Sequence, residues 1–486
     1  MLNDLLLKAY GGLWTVASPL LRRHKRLAEG FDQRLAPPDW PGLPPKTAQG
    51  GPRVWLQAAS GGEARLVHSL LPAFTDLLLQ AAPPVLTGGP GTPEAPMTPG
   101  PAKIPATPGS PLPPPASVLC TTFTRQGLDV LRELPPRTGA VARYFPLDAP
   151  RLMARALDAA APDLLVLLET ELWPGLLDAA RRRGVPVLVL NGRMTPKSFK
   201  AYSLLRPFWR NVAPARVLAV SPDDANRFAE LFRCPVSVMP NIKFDGTAEA
   251  AKAPPPPSIR AEAGIPGEAL LAAFASVREE EEDLLLPVIR SLAGSRAAGA
   301  PVAVAVAPRH MHRVDAWARK LGDAGVAFSR RSEKSGPAET ARTVCLWDSF
   351  GELRSLYASA DAAFVGGSLA PLGGQNFLEA PALGVAALVG PHTGNFLWVG
   401  DDVFATGLVR RVPDAETLAD AIRGVFATRF PSGLPADAAT AAHAREEAAC
   451  LVRKHFLDWL GPKTGGAAQA ARAMADMLLA QNRSTG

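Results

Sequence analysis

The stretch that most constrains this chain is Phe364–Asn395, FVGGSLAPLGGQNFLEAPALGVAALVGPHTGN. An apolar run ends at Gly366-Gly367, as a buried strand does on meeting a tight turn. A second pair, Gly373-Gly374, precedes Gln375–Ala380, where a helix can start, and Ala386–Val389 is another short strand closed by a glycine. Strand, glycine turn and helix start together can make an anion site, because free N–H groups and the helix dipole favour a phosphate. Glu379, in the first helical turn, is placed to accept hydrogen bonds from ribose hydroxyls. One reading is a nucleotide held at the carboxyl ends of parallel strands. The other is a turn that only lets elements pack closely.

At 486 residues the chain is too long for one core, and roughly two to four domains are expected. A hydrophobic content of 47% with 20% charged residues is that of a globular protein. The net charge of +7 favours anionic partners. The basic residues are dispersed and no nucleic-acid-binding motif is present, so nucleic acid is not expected among the partners. Cys120, Cys234, Cys345 and Cys450 are too far apart for a zinc site or a disulfide framework, which fits a reducing cytoplasm. His310 and His312 lack a third ligand, so neither a metal nor any other cofactor is expected.

Five segments follow from composition and periodicity. Residues 1–30 combine an apolar stretch with the cluster Arg22-Arg23-His24-Lys25-Arg26. The stretch is short for a span, and no cleavage pattern follows it. We read it as a membrane-associated helix lying on phospholipid headgroups. Residues 50–248 alternate strand and helix. The strand Val54–Ala58, the turn Ala59-Ser60-Gly61-Gly62 and a helix from Ala64 open a parallel α/β domain. This domain is interrupted at 83–115 by a low-complexity Pro/Gly/Thr/Ala insertion that cannot bury a core and is expected to be disordered. Residues 249–258, with four consecutive prolines, form a linker. Residues 259–427 repeat the β-α alternation, and 428–486 form an alanine-rich helical tail. Two Rossmann-like domains facing a cleft are the expected architecture.

Several side chains sit where such domains do chemistry. Glu63 follows a Gly-Gly turn at a helix start, Glu169 ends a strand, Lys243 lies near the linker and Arg309 ends a strand of the second half. A carboxylate can deprotonate an acceptor hydroxyl, and cations can neutralise a leaving phosphate. Singly, each also fits a capping interaction or a surface charge. Glu171 reads as a structural hydrogen-bond partner, and the run Glu279–Asp283 as a solvated helix start.

These motifs occur in one order: Ala59-Ser60-Gly61-Gly62-Glu63, Leu168-Glu169-Thr170-Glu171-Leu172-Trp173-Pro174, Asn191-Gly192-Arg193-Met194, Asn241-Ile242-Lys243-Phe244-Asp245, Pro308-Arg309-His310, Phe350-Gly351-Glu352-Leu353, Gly373-Gly374-Gln375-Asn376-Phe377-Leu378-Glu379 and Gly390-Pro391-His392-Thr393. The ordered set resembles the 3-deoxy-D-manno-octulosonic acid (Kdo) transferases of lipopolysaccharide assembly, from the N-terminal apolar segment to about Val412. The resemblance implies a GT-B fold with an N-terminal acceptor domain and a C-terminal donor domain. It also implies metal-independent, inverting transfer of Kdo from CMP-Kdo to a lipid A precursor at the cytoplasmic face of the inner membrane. It casts Glu63 as the general base, and Glu169 and Lys243 as stabilisers of the transition state. It casts Pro308, Arg309, Phe350, Gly351, Glu352, Asn376, Phe377, Leu378 and Glu379 as the CMP-binding set. The chain departs from the family pattern at Gly61, Phe350, Gln375 and Val277-Arg278. A GT-B enzyme using another nucleotide sugar, and a nucleotide-binding membrane scaffold without turnover, are the alternative readings.

Overall fold

The structure is a computed structural model that describes residues 2–23, 28–35, 39–46, 51–81, 116–333 and 343–484. The proline-rich insertion at 83–115 and His24-Lys25-Arg26 of the basic cluster lie outside the described residues. The chain divides into two compact units, Met1–Gly246 with Gly465–Gly486, and Thr247–Thr464.

The first unit is built on a seven-stranded parallel sheet. Its strands are β1 (Arg53–Gln57), β2 (Ser117–Thr122), β3 (Ala140–Tyr144), β4 (Leu164–Leu168), β5 (Val187–Gly192), β6 (Arg216–Ala219) and β7 (Val236–Val238), in the order β3-β2-β1-β4-β5-β6-β7. Helices cover both faces, so β1 and β4 are buried along their whole length. This accounts for Leu164-Leu165-Val166-Leu167-Leu168, an unbroken apolar run rather than an alternating one. Strand order reverses between β1 and β4, and the crevice beyond their carboxyl ends is where open α/β sheets bind ligands.

The second unit repeats the plan. Its strands are β8 (Leu270–Val277), β9 (Arg296–Ala297), β10 (Ala300–Pro308), β11 (Phe328–Arg330), β12 (Val344–Leu346), β13 (Ala362–Val365), β14 (Ala387–Val389) and β15 (Val409–Arg411). The parallel order is β11-β12-β10-β8-β13-β14-β15, with β9 as a short antiparallel flap on β10. The reversal falls between β8 and β13. The second unit begins before the expected linker, because the helix Ile242–Lys252 runs past Gly246 and the chain after Pro254–Pro257 is already anchored. Ile259 and Arg260 are buried, and Arg260 is 2.5 Å from Asp361.

The alanine-rich tail is not one element. Ala438–Leu460 stays with the second unit, while Gly466–Ser484 packs on the helix Gly61–Ala81 of the first. Ala470, Ala471 and Met474 share a core with Leu66 and Leu70. Asp245 fixes the return by accepting hydrogen bonds from the backbone of Gly465 (2.7 Å) and Ala467 (3.0 Å). Gly466 is needed there, since a Cβ would lie 2.3 Å from the Pro240 carbonyl oxygen.

The N-terminal segment forms a helix, Leu2–Leu21, on the first unit. Leu7 is buried, Tyr10 donates to Asp148 (2.9 Å) and Asp4 pairs with Arg182 (2.7 Å). Leu5, Leu13, Val16 and Leu20 face outward. No helix among the described residues is long and apolar enough to cross a membrane.

Candidate active site

The first site gathers at the β1/β4 reversal. The turn after β1 starts the helix Gly61–Ala81, and the Glu63 carboxylate folds back to accept from the Ser60 backbone N–H (2.7 Å) and from the Ser60 hydroxyl. This is the return half of a capping box. It leaves Glu63 part-exposed at the mouth of the crevice.

At the end of β4, Glu169 takes a left-handed conformation, φ 58°. Its carboxylate lies 2.6 Å from the Lys243 ammonium, with both side chains mostly shielded from solvent. Lys243 is held by a relay from β5. The Asn191 side chain, itself on a residue with φ 54°, accepts from the Ile242 backbone N–H (2.9 Å), and Asn241 accepts from that of Lys243 (3.0 Å). Asn191 and Asn241 thus place the lysine against the glutamate.

Glu171 completes the group. It accepts from the Trp173 indole N–H (2.7 Å) and from the Gln57 amide (3.3 Å), and Gln57 in turn accepts from the Thr121 hydroxyl (2.5 Å). Burial pushes its carboxyl up to about 7; these hydrogen bonds pull the other way, and the nearby charges of Glu63 and Glu169 raise it further. The structural role read from the sequence is present.

In the second unit the β8/β13 reversal is arranged differently. Gly366 must be glycine, because a Cβ would lie 2.5 Å from the Ser276 carbonyl oxygen. The N–H groups of this turn do not wait for a phosphate. The carboxylate of Glu281, fully buried, accepts from the backbone of Gly367 (2.6 Å), Ser368 (2.9 Å) and Leu369 (2.9 Å). Two sequence readings are corrected here. The first glycine turn is filled by the protein's own anion, and Glu279–Asp283 is solvated only at Glu279, Glu280 and Asp283, since Glu281 and Glu282 are both buried. The expected helix after Gln375 starts only at Glu379 and lasts four residues before Leu383-Gly384 ends it.

The CMP-binding candidates are distributed along the same end of the second sheet. Pro308 ends β10, and the Arg309 backbone N–H donates to the Val277 carbonyl (2.8 Å), leaving its side chain exposed. Phe350 is 88% exposed, Gly351 has φ 87° and Glu352 pairs with Arg331 (3.2 Å). The Asn376 amide donates to Glu379 (2.8 Å). Phe377 and Leu378 are buried, Phe377 against Phe396 and Phe404, so only their main chain can meet a ligand. Beside them a shallow cleft of about 510 Å³ is lined by Gly373, His392, Thr393, Asp401 and Arg411. Glu281 was read only as part of an acid run because the glycine turn it meets is remote in sequence.

A family model described as 3-deoxy-D-manno-octulosonic-acid transferase (kdotransferase) matches residues 111–246. The 3-deoxy-D-manno-octulosonic acid transferase of Bordetella pertussis is 37% identical over 326 residues, 65% of this chain and 74% of that protein. The enzyme of the same name from Haemophilus influenzae is 30% identical over 58% of this chain and 66% of its own length. A glycosyltransferase structure from Rickettsia africae covers 88% of this chain and 99% of its own at a TM-score of 0.50 and 12% identity, a likeness of fold. On the extent of the Bordetella match, the chain belongs to the 3-deoxy-D-manno-octulosonic acid transferase family and is a glycosyltransferase.

Proposed function

We propose that this enzyme moves Kdo from CMP-Kdo to a lipid A precursor, with inversion at the anomeric carbon and no metal, at the cytoplasmic face of the inner membrane. The observation that carries the reading is the placement of Glu63, Glu169 and Lys243 at one strand-order reversal. An acceptor hydroxyl attacks the anomeric carbon of the donor and gives its proton to Glu63. The new C–O bond forms as the bond to the CMP phosphate breaks, and CMP leaves with the electron pair. Lys243, oriented by Glu169, offsets the negative charge that develops. Arg309 and the loops around Gly351 and Asn376 hold CMP. The outward Leu5, Leu13, Val16 and Leu20, followed by Arg22 and Arg23, suit a phospholipid surface.

The test is transfer by the purified chain, with a lipid A precursor, CMP-Kdo generated in situ and a chelator present, read by mass spectrometry. A lipid heavier by one or more Kdo units is expected. CMP release without a lipid adduct would point to a different acceptor. CMP binding without turnover would favour the scaffold reading.

A further inference from the structure

With the glycine turn closed by Glu281, the donor's negative charge has to be met elsewhere in the second unit. The ends of β8 and β10 supply the means. The two strands are paired, and Arg309 N–H donates to the carbonyl of Val277, which brings Arg278 and Arg309 to adjacent strand ends. Arg278 is three-quarters shielded, and its Nε is buried without a hydrogen-bond partner. Its only ion pair among the described residues is with Glu280, loose at 3.6 Å and to a side chain 48% exposed. The Arg309 side chain makes no hydrogen bond or ion pair among the described residues. His310 and His312 stack beside it, ring centroids 5.5 Å apart. Glu279 and Glu282 do not neutralise this patch, because both are committed to Arg313 (3.0 and 2.6 Å).

We propose that Arg278, with Arg309, forms a cationic subsite for an oxyanion of the donor. This rests on the reading of the second unit as the donor site. Arg278 stands at the β8/β13 reversal, the counterpart of the β1/β4 reversal that carries Glu63. Its terminal nitrogens, held only by the loose contact to Glu280, can turn to a planar or tetrahedral oxyanion in a two-pronged hydrogen bond. CMP-Kdo offers two such groups, the phosphate and the sugar carboxylate.

The experiment compares full-length wild type with Arg278→Ala, Arg278→Lys and Arg309→Ala. Calorimetric titration uses cytidine and CMP, and the donor KM is measured with CMP-Kdo generated in situ. Arg278→Ala is expected to weaken oxyanion binding by about tenfold or more. If the phosphate is the ligand, CMP affinity falls while cytidine affinity does not. If the carboxylate is the ligand, CMP affinity holds and the donor KM rises. Arg278→Lys should recover part of either loss, which a lost fold would not allow. Unchanged CMP affinity and donor KM in Arg278→Ala, beside lost CMP binding in Arg309→Ala, would overturn the subsite and leave the donor reading standing. Wild type that binds no CMP would overturn both.

Discussion

The turns after the first strand of each unit share a local geometry and differ in what it is used for. In Ser60-Gly61-Gly62-Glu63 and in Arg278-Glu279-Glu280-Glu281, a glutamate three residues on accepts from the backbone N–H of the first residue, at 2.7 Å and 3.2 Å. Across the strand-order reversal they part. Glu281 meets three N–H groups of a glycine turn and is sealed by them. Glu63 instead has the carboxylates that follow β4, Glu169 and Glu171, nearby, and it remains part-exposed. The same capping carboxylate is sealed where the neighbouring strand end offers donors and stays part-exposed where it offers other carboxylates.

That contrast breaks if the two glutamates respond alike to mutation. Glu281→Ala leaves three buried N–H groups without an acceptor and should cost on the order of 3–6 kcal/mol of stability, with Glu281→Gln nearer half of that because one carbonyl oxygen remains. Thermal or urea unfolding checks it, and wild-type stability in Glu281→Ala would refute the structural role. Glu63→Gln should do the reverse, with transfer slowed about 10²–10⁴-fold and the melting temperature and CMP affinity kept. Retained turnover would remove Glu63 as the base.

The smallest effect sharpens the comparison. The Glu171 carboxyl is raised from an ordinary 4.5 to about 7 in the folded chain. The folded state therefore holds a proton that the unfolded state has released. The stability this contributes is full below pH 4.5 and is lost as pH rises through 7. Glu171→Gln should flatten the stability profile across that window in urea melts at several pH values. An unchanged slope would mean that Glu171 is ionised throughout.

Features were legible in the sequence where their partners are near. The helix start at Ser221-Pro222 is of this local kind, with the Ser221 hydroxyl accepting from the Asp224 N–H. The Glu63 turn closes over three residues and was equally plain. Lys243 and Glu169 were each singled out, but their direct pairing was not, because 74 residues separate them. Glu281 reaches 86 to 88 residues to the glycine turn, so an acid run read locally looked solvated. The two-part tail was hidden for the same reason: alanine periodicity shows a helix, not the sheet it covers.

The return of Gly466–Ser484 to the first unit makes folding depend on the order of synthesis. The groove on Gly61–Ala81 leaves the ribosome before the second unit, while its cover emerges only after that unit. Between them lies the whole second unit, roughly ten to forty seconds of elongation. For that interval Leu66 and Leu70 lack their alanine partners, and the nascent first unit presents an apolar groove of the kind that holding chaperones bind.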